Sequence, residues 1–162
     1  MEGFDQLYRS SVADVYAYVA TLLDDRAAAE DVTAAAFERA WKKRRTFDAG
    51  RGSPRGWLFG IARHAALDEL RRRKRVLATS EDTADPDALA LEDGVDDAMR
   101  RATVRAALRD LEPRDRELVA LKFYGELSNV ELAALLRTSE SNVGTRLHRA
   151  VAKLREACHV EA

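Results

Sequence analysis

The stretch SPRGWLFGIARHAALDELRRRKR, from Ser53 to Arg75, organises the first half of this chain. Pro54 is expected to open a helix, because its missing N–H would have no partner in the first turn. The following apolar residues recur at helical spacing and cover one broad arc: Trp57, Leu58, Ile61, Ala62, Ala65 and Ala66. The opposite side carries Arg63, His64, Leu67 and Arg71. The pattern predicts a helix with a core-facing back and a cationic front for a polyanion; a solvated surface helix with a basic end is the alternative.

Two further helices are predicted before this stretch. Apolar residues keep a helical period from Phe4 to Leu22, as far as a turn at Asp24 and Asp25. A second helix is expected from Ala27 to Lys43, with acids early and bases late, the order that the helix macrodipole favours. Its predicted inward side consists of Val32, Ala36, Phe37, Ala40 and Trp41. The loop Thr46–Gly52 that follows contains two glycines, which allow the backbone to approach a ligand closely.

Charge divides the chain into three parts. Residues 1–75 carry 15 basic and 11 acidic residues, whereas residues 76–99 carry 8 acids and no base. Residues 100–162 again carry more bases than acids, 12 against 9. The segment 76–99 lacks a sustained apolar period and contains Pro86, so we expect an acidic flexible linker, with a helical turn at Asp87–Leu91 as an option. Two small basic modules are therefore predicted, despite the overall net charge of −1.

Composition is typical of a soluble helical protein. With 46% hydrophobic and 34% charged residues, the chain has no apolar run that approaches a membrane-spanning length. Its first residues resemble no secretory signal, and the single Cys158 cannot form an internal disulfide, so a cytoplasmic location is expected. Cys158 and His159 are too few ligands for a metal site. No cofactor or metal is therefore predicted.

The second basic module also shows a helical pattern and contains a helix-turn-helix. Residues 99–111 form its first helix, and Glu112-Pro113 begins another that stops near Gly125. Ser128-Asn129-Val130-Glu131 is a capping box, which places the start of the next helix at Asn129 and its end at about Leu136. Arg137 and Thr138 form a turn in which Arg137 takes a left-handed backbone conformation. Ser139 is the predicted N-cap of a last helix that runs to about Glu156.

The last helix has the pattern of a DNA-recognition helix. Ala133 is expected to pack where the two helices cross, and Val143 begins a buried stripe that continues through Leu147, Ala150, Val151 and Leu154. The other side carries Ser141, Thr145 and Arg149, flanked by Asn142, Arg146 and His148. Such a face can enter the major groove, where its N-terminal residues contact base edges and its arginines hold phosphates. A helical hairpin without a DNA role is the alternative.

Taken together, motifs in both halves resemble those of bacterial RNA polymerase sigma factors of the extracytoplasmic-function (ECF) type. In the first half the matching stretches are Glu30–Val32, Phe37–Trp41, Ser53–Arg63 and Asp68–Arg72. In the second half they are Leu108–Pro113, Arg116-Glu117, Leu127-Ser128 and Arg146–Ala150. The resemblance covers the chain from end to end. It implies an all-α protein of two small helical domains, sigma region 2 at residues 1–75 and sigma region 4 at residues 100–162, joined by the acidic linker 76–99.

The resemblance also implies partners. The second helix is similar to the part of region 2 that docks on the clamp helices of the polymerase β′ subunit, which implies four core-binding positions: Asp31, Ala34, Ala35 and Glu38. The helix-turn-helix, residues 129–148, resembles region 4, which recognises the minus-thirty-five promoter element and contacts the β flap. Its implied DNA contacts are Ser141, Asn142, Thr145, Arg146 and Arg149. An anti-sigma factor is a further expected partner, and no membrane insertion is expected.

The loop Thr46–Ser53 and the helix after it resemble the part of region 2 that melts the promoter and recognises the minus-ten element. Opening DNA without nucleotide hydrolysis requires that single-strand binding offset unstacking, which costs a few kcal/mol per extruded base. The residues expected to bind this strand are Phe47, Arg51, Gly52, Ser53, Arg63, His64 and Arg71. The remaining aromatic residues of the region, Trp41, Trp57 and Phe59, are expected in the core.

Five positions depart from the pattern usual in the family. Ala34 and Ala35 stand where glutamine and glutamate are usual, and His64 stands where asparagine is common. Arg137 replaces a usual glycine in the turn, and Gly144 replaces a usual lysine in the recognition helix. The departures at Ala34 and Ala35 bear on polymerase docking, and those at His64, Arg137 and Gly144 bear on promoter affinity, in a direction that the sequence does not fix.

Two other functions fit parts of the sequence. A stand-alone helix-turn-helix regulator would bind duplex DNA without polymerase, but it leaves the motifs of the first half unexplained. An enzyme would need clustered metal ligands, a phosphate-binding glycine loop or a nucleophile–base pair, and the sequence offers none of these patterns. The sequence therefore predicts a non-enzymatic specificity subunit of RNA polymerase.

Overall fold

The computed structural model of the chain describes residues 3–78 and 95–160. The described residues belong to two compact units, 3–78 in the first and 95–160 in the second. Every regular element in these two ranges is a helix: seven α-helices and two single 3-10 turns. The predicted all-α class is confirmed. The predicted helical turn at Asp87–Leu91 and most of the predicted linker lie outside the described residues.

The first unit consists of three α-helices that all pack against one another. They are α1 (Phe4–Leu23), α2 (Arg26–Lys42) and α3 (Pro54–Leu77). Asp25 separates α1 from α2, and its carboxylate accepts the N–H of Ala28 as an N-cap. Pro54 is the first residue of α3, as its fixed φ and missing donor predict. Local capping chemistry thus accounts for where α2 and α3 begin.

Aromatic and aliphatic side chains fill the core of this unit. Tyr18 of α1 and Phe59 of α3 are fully buried, with ring centroids 5.7 Å apart. Trp57 is half-buried. The prediction that Trp41 faces the core is wrong, because its residue surface is 49% exposed. Trp41 lies near the C-terminal end of α2, where its ring meets the edge of Phe4 at 5.2 Å and stacks under the guanidinium of Arg44 at 3.7 Å.

Two arginines of α3 tie this helix to α1. The guanidinium of Arg73 donates to the carbonyl oxygen of Leu23 at 2.8 Å and to the carboxylate of Asp25 at 3.1 Å. It thereby holds the end of α1 and the start of α2 against the far end of α3. At the near end of α3, Arg55 donates to Asp14 at 2.6 Å and to the buried hydroxyl of Ser11 at 3.3 Å. Both ends of α3 are therefore fixed by charge-assisted hydrogen bonds, which are stronger than neutral ones.

The second unit consists of α4 (Val95–Asp110), α5 (Pro113–Phe123), α6 (Asn129–Leu136) and α7 (Glu140–Val160). Helix α7 packs on α4, α5 and α6, so it forms the centre of the unit. The core contains Leu108, Leu111, Val119 and Ala150, with Leu154 packed against it. Arg116 donates to three carbonyl oxygens at the end of α4, those of Leu108, Arg109 and Leu111, at 2.7–3.0 Å. These hydrogen bonds satisfy acceptors that a helix end leaves unpaired.

The helix limits follow the sequence closely. Helix α6 begins at Asn129 and ends at Leu136, as the capping box predicts, whereas α7 continues to Val160, past the predicted end at Glu156. Helix α3 reaches Leu77 and α4 begins at Val95, so helical residues occupy both ends of the predicted linker range. Within residues 3–78 and 95–160, no helix combines the length and the apolar character that crossing a bilayer requires.

Candidate nucleic-acid interfaces

The first candidate surface lies on α2 and consists of Asp31, Ala34, Ala35 and Glu38, called here the α2 face. The spacing of three, four and seven residues places all four on one side of the helix. Asp31, Ala34 and Glu38 are exposed and Ala35 is half-buried. The Lys42 ammonium donates a 2.8 Å hydrogen bond to Glu38, which holds the pKa of that carboxyl below its usual value. The α2 face therefore presents two acidic side chains with small residues between them.

An open cavity of about 380 Å³ borders Asp31 on the side of α3. Its walls carry both signs of charge and are formed by Asp25, Ala28, Asp31, Val32, Glu69, Arg72 and Arg73. Arg72 makes a bidentate pair with Glu69 at 2.8 and 2.9 Å, which lowers the pKa of that carboxyl. The charges on the α3 side are thus largely paired with one another, whereas Asp31 contributes a carboxylate to the wall on the α2 side.

The second candidate surface is the loop Thr46–Ser53, called here the basic loop after Arg51 and the basic run Lys42–Arg45 that leads into it; Asp48 offsets one charge within the loop. The two 3-10 turns, Arg44–Thr46 and Ala49–Arg51, shape it. The Asp48 carboxylate accepts the N–H of Gly50 at 2.9 Å, which closes the second turn. Gly52 has φ +151°, which residues with a side chain rarely adopt. Ser53 then caps α3, its hydroxyl accepting the N–H of Gly56 at 3.0 Å. The loop is therefore an ordered connection held at both ends.

The predicted minus-ten residues differ in what they contact. Phe47 is half-buried, with its ring against Trp57 at 5.7 Å in an edge-on arrangement. Arg51 and His64 are exposed, and Arg51 has only a long 3.7 Å contact with Asp48. Arg71 is exposed, and its Nη1 lies 3.2 Å from Oδ1 of Asp68, which is on the preceding turn of α3.

Of the remaining minus-ten residues, Gly52 is exposed at the end of the basic loop and Ser53 is half-buried as the N-cap of α3. Arg63 is half-buried on α3 and is engaged by another residue of the protein. The exposed cations thus lie on the loop and along α3, as the sequence predicts.

The third candidate surface is the helix-turn-helix of α6 and α7. Ser128 accepts the N–H of Glu131 at 3.1 Å and Ser139 accepts that of Asn142 at 3.0 Å, so both predicted N-caps are confirmed. Between the helices, Arg137 adopts φ +55° and ψ +51°, the left-handed conformation predicted for the turn. Val143 is fully buried and Ala133 is nearly so. The sequence pattern of a helix-turn-helix is therefore realised in detail.

Helix α7 exposes a polar face on the side away from its core stripe. Ser141, Thr145 and Arg149 are exposed, as are the flanking Asn142 and His148. The side-chain amide of Asn142 donates to the hydroxyl of Thr138 at 2.7 Å. Gly144 lies on the same helix, and a Cβ built there would meet nothing within 4 Å. The helix therefore exposes short polar side chains in its first two turns and an arginine, Arg149, later on the same side.

Arg146 differs from its neighbours on α7. Its guanidinium donates to the carboxylate of Asp115 on α5 at 3.1 Å, and the two side chains are only 26% and 20% exposed. Periodicity gives no sign of this pair, because Asp115 and Arg146 lie 31 residues apart in the chain.

Sequence reasoning also missed Arg55, which it included in a motif without a role. The short bond to Asp14 and the contact of its guanidinium with the Phe59 ring fix Arg55 directly after the basic loop. The sequence signal was only its place next to Pro54, the start of α3. In the described residues, no group of three or more His, Cys, Asp or Glu could hold a metal ion.

Comparison with known proteins defines the class. The family description Sigma-70 region 2 matches residues 7–76, and Sigma-70, region 4, matches residues 101–154. The ECF RNA polymerase sigma factor SigX of Bacillus subtilis is 35% identical over 99% of this chain and 84% of its own length. SigL of Mycobacterium tuberculosis is 31% identical over 92% of this chain and 85% of its own length.

A solved structure shares the fold. The sigma factor RpoE of Bartonella quintana, crystallised with the anti-sigma factor NepR, superposes with a TM-score of 0.85 and 23% identity over the whole of both chains. The chain belongs to the ECF RNA polymerase sigma factors. It is a promoter-directing subunit of RNA polymerase, and a stand-alone helix-turn-helix regulator is not favoured because the first unit carries sigma region 2.

Proposed function

We propose that the three surfaces divide the work of promoter-specific initiation between core polymerase and the two promoter elements. The observation that carries this assignment is the order of exposed faces along one chain: an acidic helix face, a basic loop with a cationic helix, and a polar recognition helix. We assign residues 1–75 to sigma region 2, residues 76–99 to the acidic linker and residues 100–162 to sigma region 4.

The α2 face is the proposed docking site for the β′ clamp helices of core polymerase. Asp31 and Glu38 are exposed carboxylates on one side of α2, with the exposed Ala34 and the half-buried Ala35 between them. A basic helical surface would form charge-assisted hydrogen bonds with both acids. Exposed apolar side chains near the turn between α5 and α6, Phe123 and Val130, support a second contact with the β flap.

The basic loop and α3 are the proposed minus-ten site. Arg51, His64 and Arg71 are exposed and supply donors for the phosphates of a single strand, and Arg63 lies on the same helix. The rings of Phe47 and Trp57 form an edge-on aromatic pair beside the loop, and an extruded base could stack on this pair. Gly52 and Ser53 carry no large side chain, so a bound strand can approach the backbone of the loop closely.

The recognition helix α7 is the proposed minus-thirty-five site. Ser141, Asn142 and Thr145 lie in its first two turns and are exposed, and Arg149 follows on the same side. Two weak sites on one chain also act together, since binding at one element raises the effective concentration for the other.

An inhibitory partner and a location complete the proposal. The Bartonella quintana relative forms a complex with an anti-sigma factor, and we assign a partner of that kind to this chain. A protein that works with core polymerase acts in the cytoplasm. No catalytic residue and no cofactor enter this function.

A titration of labelled protein into bacterial core polymerase tests the docking assignment. Asp31→Arg replaces an attractive charge by a repulsive one, so the dissociation constant should rise by at least about tenfold. Asp5→Arg on α1 is the matched control, because Asp5 is exposed and lies outside the α2 face. Equal affinities for wild type and Asp31→Arg would remove the α2 face from the docking site.

Permanganate footprinting of the opened promoter tests the minus-ten assignment. Arg51→Ala and His64→Ala should reduce reactivity of thymines at the minus-ten element while leaving core association unchanged. Arg9→Ala, which is exposed on α1, is the control. Unchanged reactivity in both loop and helix variants would show that the strand follows another path.

A further inference from the structure

The pair Asp115–Arg146 joins the recognition helix to α5. Arg146 Nη2 lies 3.1 Å from Asp115 Oδ1, and about three quarters or more of each side chain is shielded from solvent at 26% and 20% exposure. Asp115 lies in the first turn of α5, where the helix macrodipole stabilises a carboxylate. Arg146 lies one residue after Thr145, which is exposed and belongs to the proposed minus-thirty-five face. Arg146 lies about 60° around the helix axis from Arg149, so the pair borders that face on the side of α5.

A half-buried pair of this kind resists rotation of α7. Removing one partner would leave a charge that is shielded from water and uncompensated, which is costly. Successive residues of a helix are separated by about 100° around its axis, so a rotation of a few tens of degrees would turn every residue of the face away from its target together. The apolar contacts between α5 and α7 hold the helices in contact but fix their rotation less sharply, because apolar attraction is non-directional.

We propose that Asp115 is a positioning residue for minus-thirty-five recognition. It holds Arg146 against α5, and it thereby directs Ser141, Thr145 and Arg149 into the major groove. Arg146 contacts neither a base edge nor a phosphate in this arrangement. The inference rests on the proposed minus-thirty-five role of α7 and changes the part assigned to Arg146 within it.

The test measures specificity, because a loss of general stability or of charge does not distinguish a correct base from a wrong one. Holoenzyme is assembled from core polymerase and the full chain. Its affinity is measured for a promoter duplex selected by run-off transcription and for the same duplex with single changes in the minus-thirty-five element. The measurement is repeated at several salt concentrations, and thermal unfolding is followed by circular dichroism. Asp110→Asn, exposed at the end of α4, is the control for loss of one carboxylate.

Asp115→Asn and Arg146→Gln should each lower, by about tenfold, the ratio of the affinity for the matched duplex to the affinity for the mismatched duplex. A loss of this size is within the range of interaction energies measured for pairs of residues in contact. Both variants should leave unchanged the salt slope, which is the slope of the logarithm of affinity against the logarithm of salt concentration. Asp115→Glu should keep the ratio, and the exchange of charges in Asp115→Arg with Arg146→Asp should restore most of it. If the two neutral variants are unfolded at the assay temperature, the affinities are measured at a lower temperature at which these proteins are partly folded. A lowered ratio in the neutral variants, together with a retained ratio in Asp115→Glu, then supports the positioning role.

Three results would overturn the inference. A salt slope reduced by about 1 in Arg146→Gln, with equal loss on all duplexes, would make Arg146 a phosphate contact. Loss of discrimination at one base that the charge exchange does not restore would make it a base contact. Wild-type ratios in both neutral variants would leave the pair without a role. A wild-type protein that shows no minus-thirty-five preference would instead contradict the proposed function itself.

Discussion

The two units present their candidate DNA contacts on different kinds of element. In the first unit the contacts lie partly on the basic loop, whose ends are held by helices α2 and α3. In the second unit they lie on one face of a single helix, α7. A half-buried arginine–aspartate pair joins α3, directly after the loop, to α1 through Arg55 and Asp14, and a second pair joins α7 to α5 through Arg146 and Asp115. A change in the loop can therefore act on one contact alone, whereas a rotation of α7 moves all of its contacts together.

The largest expected effect concerns the second unit. Arg149→Ala should weaken minus-thirty-five binding by about 1–3 kcal/mol if the guanidinium contacts a base. Footprinting of the holoenzyme on matched and mismatched promoters measures the loss. Arg155→Ala, exposed on the same helix, should have little effect because Arg155 lies six residues beyond Arg149, outside the recognition face. A loss of equal size on every sequence would indicate a phosphate contact, and no loss would remove Arg149 from the interface.

The next effect concerns the first unit. Asp14→Ala leaves Arg55 without its carboxylate, and we expect the free energy of unfolding to fall by about 2 kcal/mol, less than for a fully buried pair because Asp14 is 40% exposed. Both tryptophans of the chain, Trp41 and Trp57, lie in this unit, so urea unfolding followed by tryptophan fluorescence reports on it alone.

Asp5→Ala is the matched control for that measurement. Asp5 also pairs with an arginine of α1, Arg9, but both side chains are more than three quarters exposed. The loss should be about 0.5 kcal/mol or less. Equal losses in Asp14→Ala and Asp5→Ala would mean that the Arg55 pair does not anchor the start of α3.

A smaller effect should come from the core of the first unit. Among residues 3–78 and 95–160, the buried hydroxyl of Thr33 has no hydrogen-bond partner, so Thr33→Val should raise the free energy of unfolding by about 1 kcal/mol. Thr21→Val is the control, since the Thr21 hydroxyl donates to the carbonyl of Ala17 at 2.8 Å and its removal should bring no gain. Tryptophan fluorescence again provides the measurement. A destabilised Thr33→Val protein would show that the hydroxyl has a role in the folded state.

The smallest effect concerns the α2 face. Restoring the residues usual in the family, with Ala34→Gln and Ala35→Glu together, should tighten core association by about 0.5–1 kcal/mol, the value of an added hydrogen bond. Ala13→Gln on α1, which is exposed and outside the α2 face, should leave the affinity unchanged. Weaker association in the double variant would mean that the small side chains themselves fit the partner.

Local chemistry explains what the sequence could predict. The fixed φ of Pro54 marks the start of α3, and Pro54 is the first residue of that helix as expected. The hydroxyls of Ser128 and Ser139 cap the helices that follow them, as the sequence predicts. The exposed face of α7 follows from its period. The left-handed backbone at Arg137 follows from the length of the turn between two capped helices.

Tertiary pairing explains what the sequence could not predict. The period of α2 places Trp41 on the same side as Phe37, but the end of α2 where Trp41 lies is only partly covered, by Phe4 of α1 and by Arg44. The partners of Arg55 and Arg146 are 41 and 31 residues away, and nothing in the local sequence distinguishes these arginines from those that remain exposed. For this reason the sequence pattern placed Arg146 among the predicted DNA contacts, together with the residues beside it on α7.

Run-off transcription with core polymerase on three versions of one promoter tests the central claim most directly. The templates carry both elements, a scrambled minus-thirty-five element or a scrambled minus-ten element. The account predicts full product from the first, reduced product from the second and none from the third, with no product when core polymerase is omitted. Equal product from all three templates, or tight binding of the duplex by the isolated chain, would contradict the division of recognition between the two units.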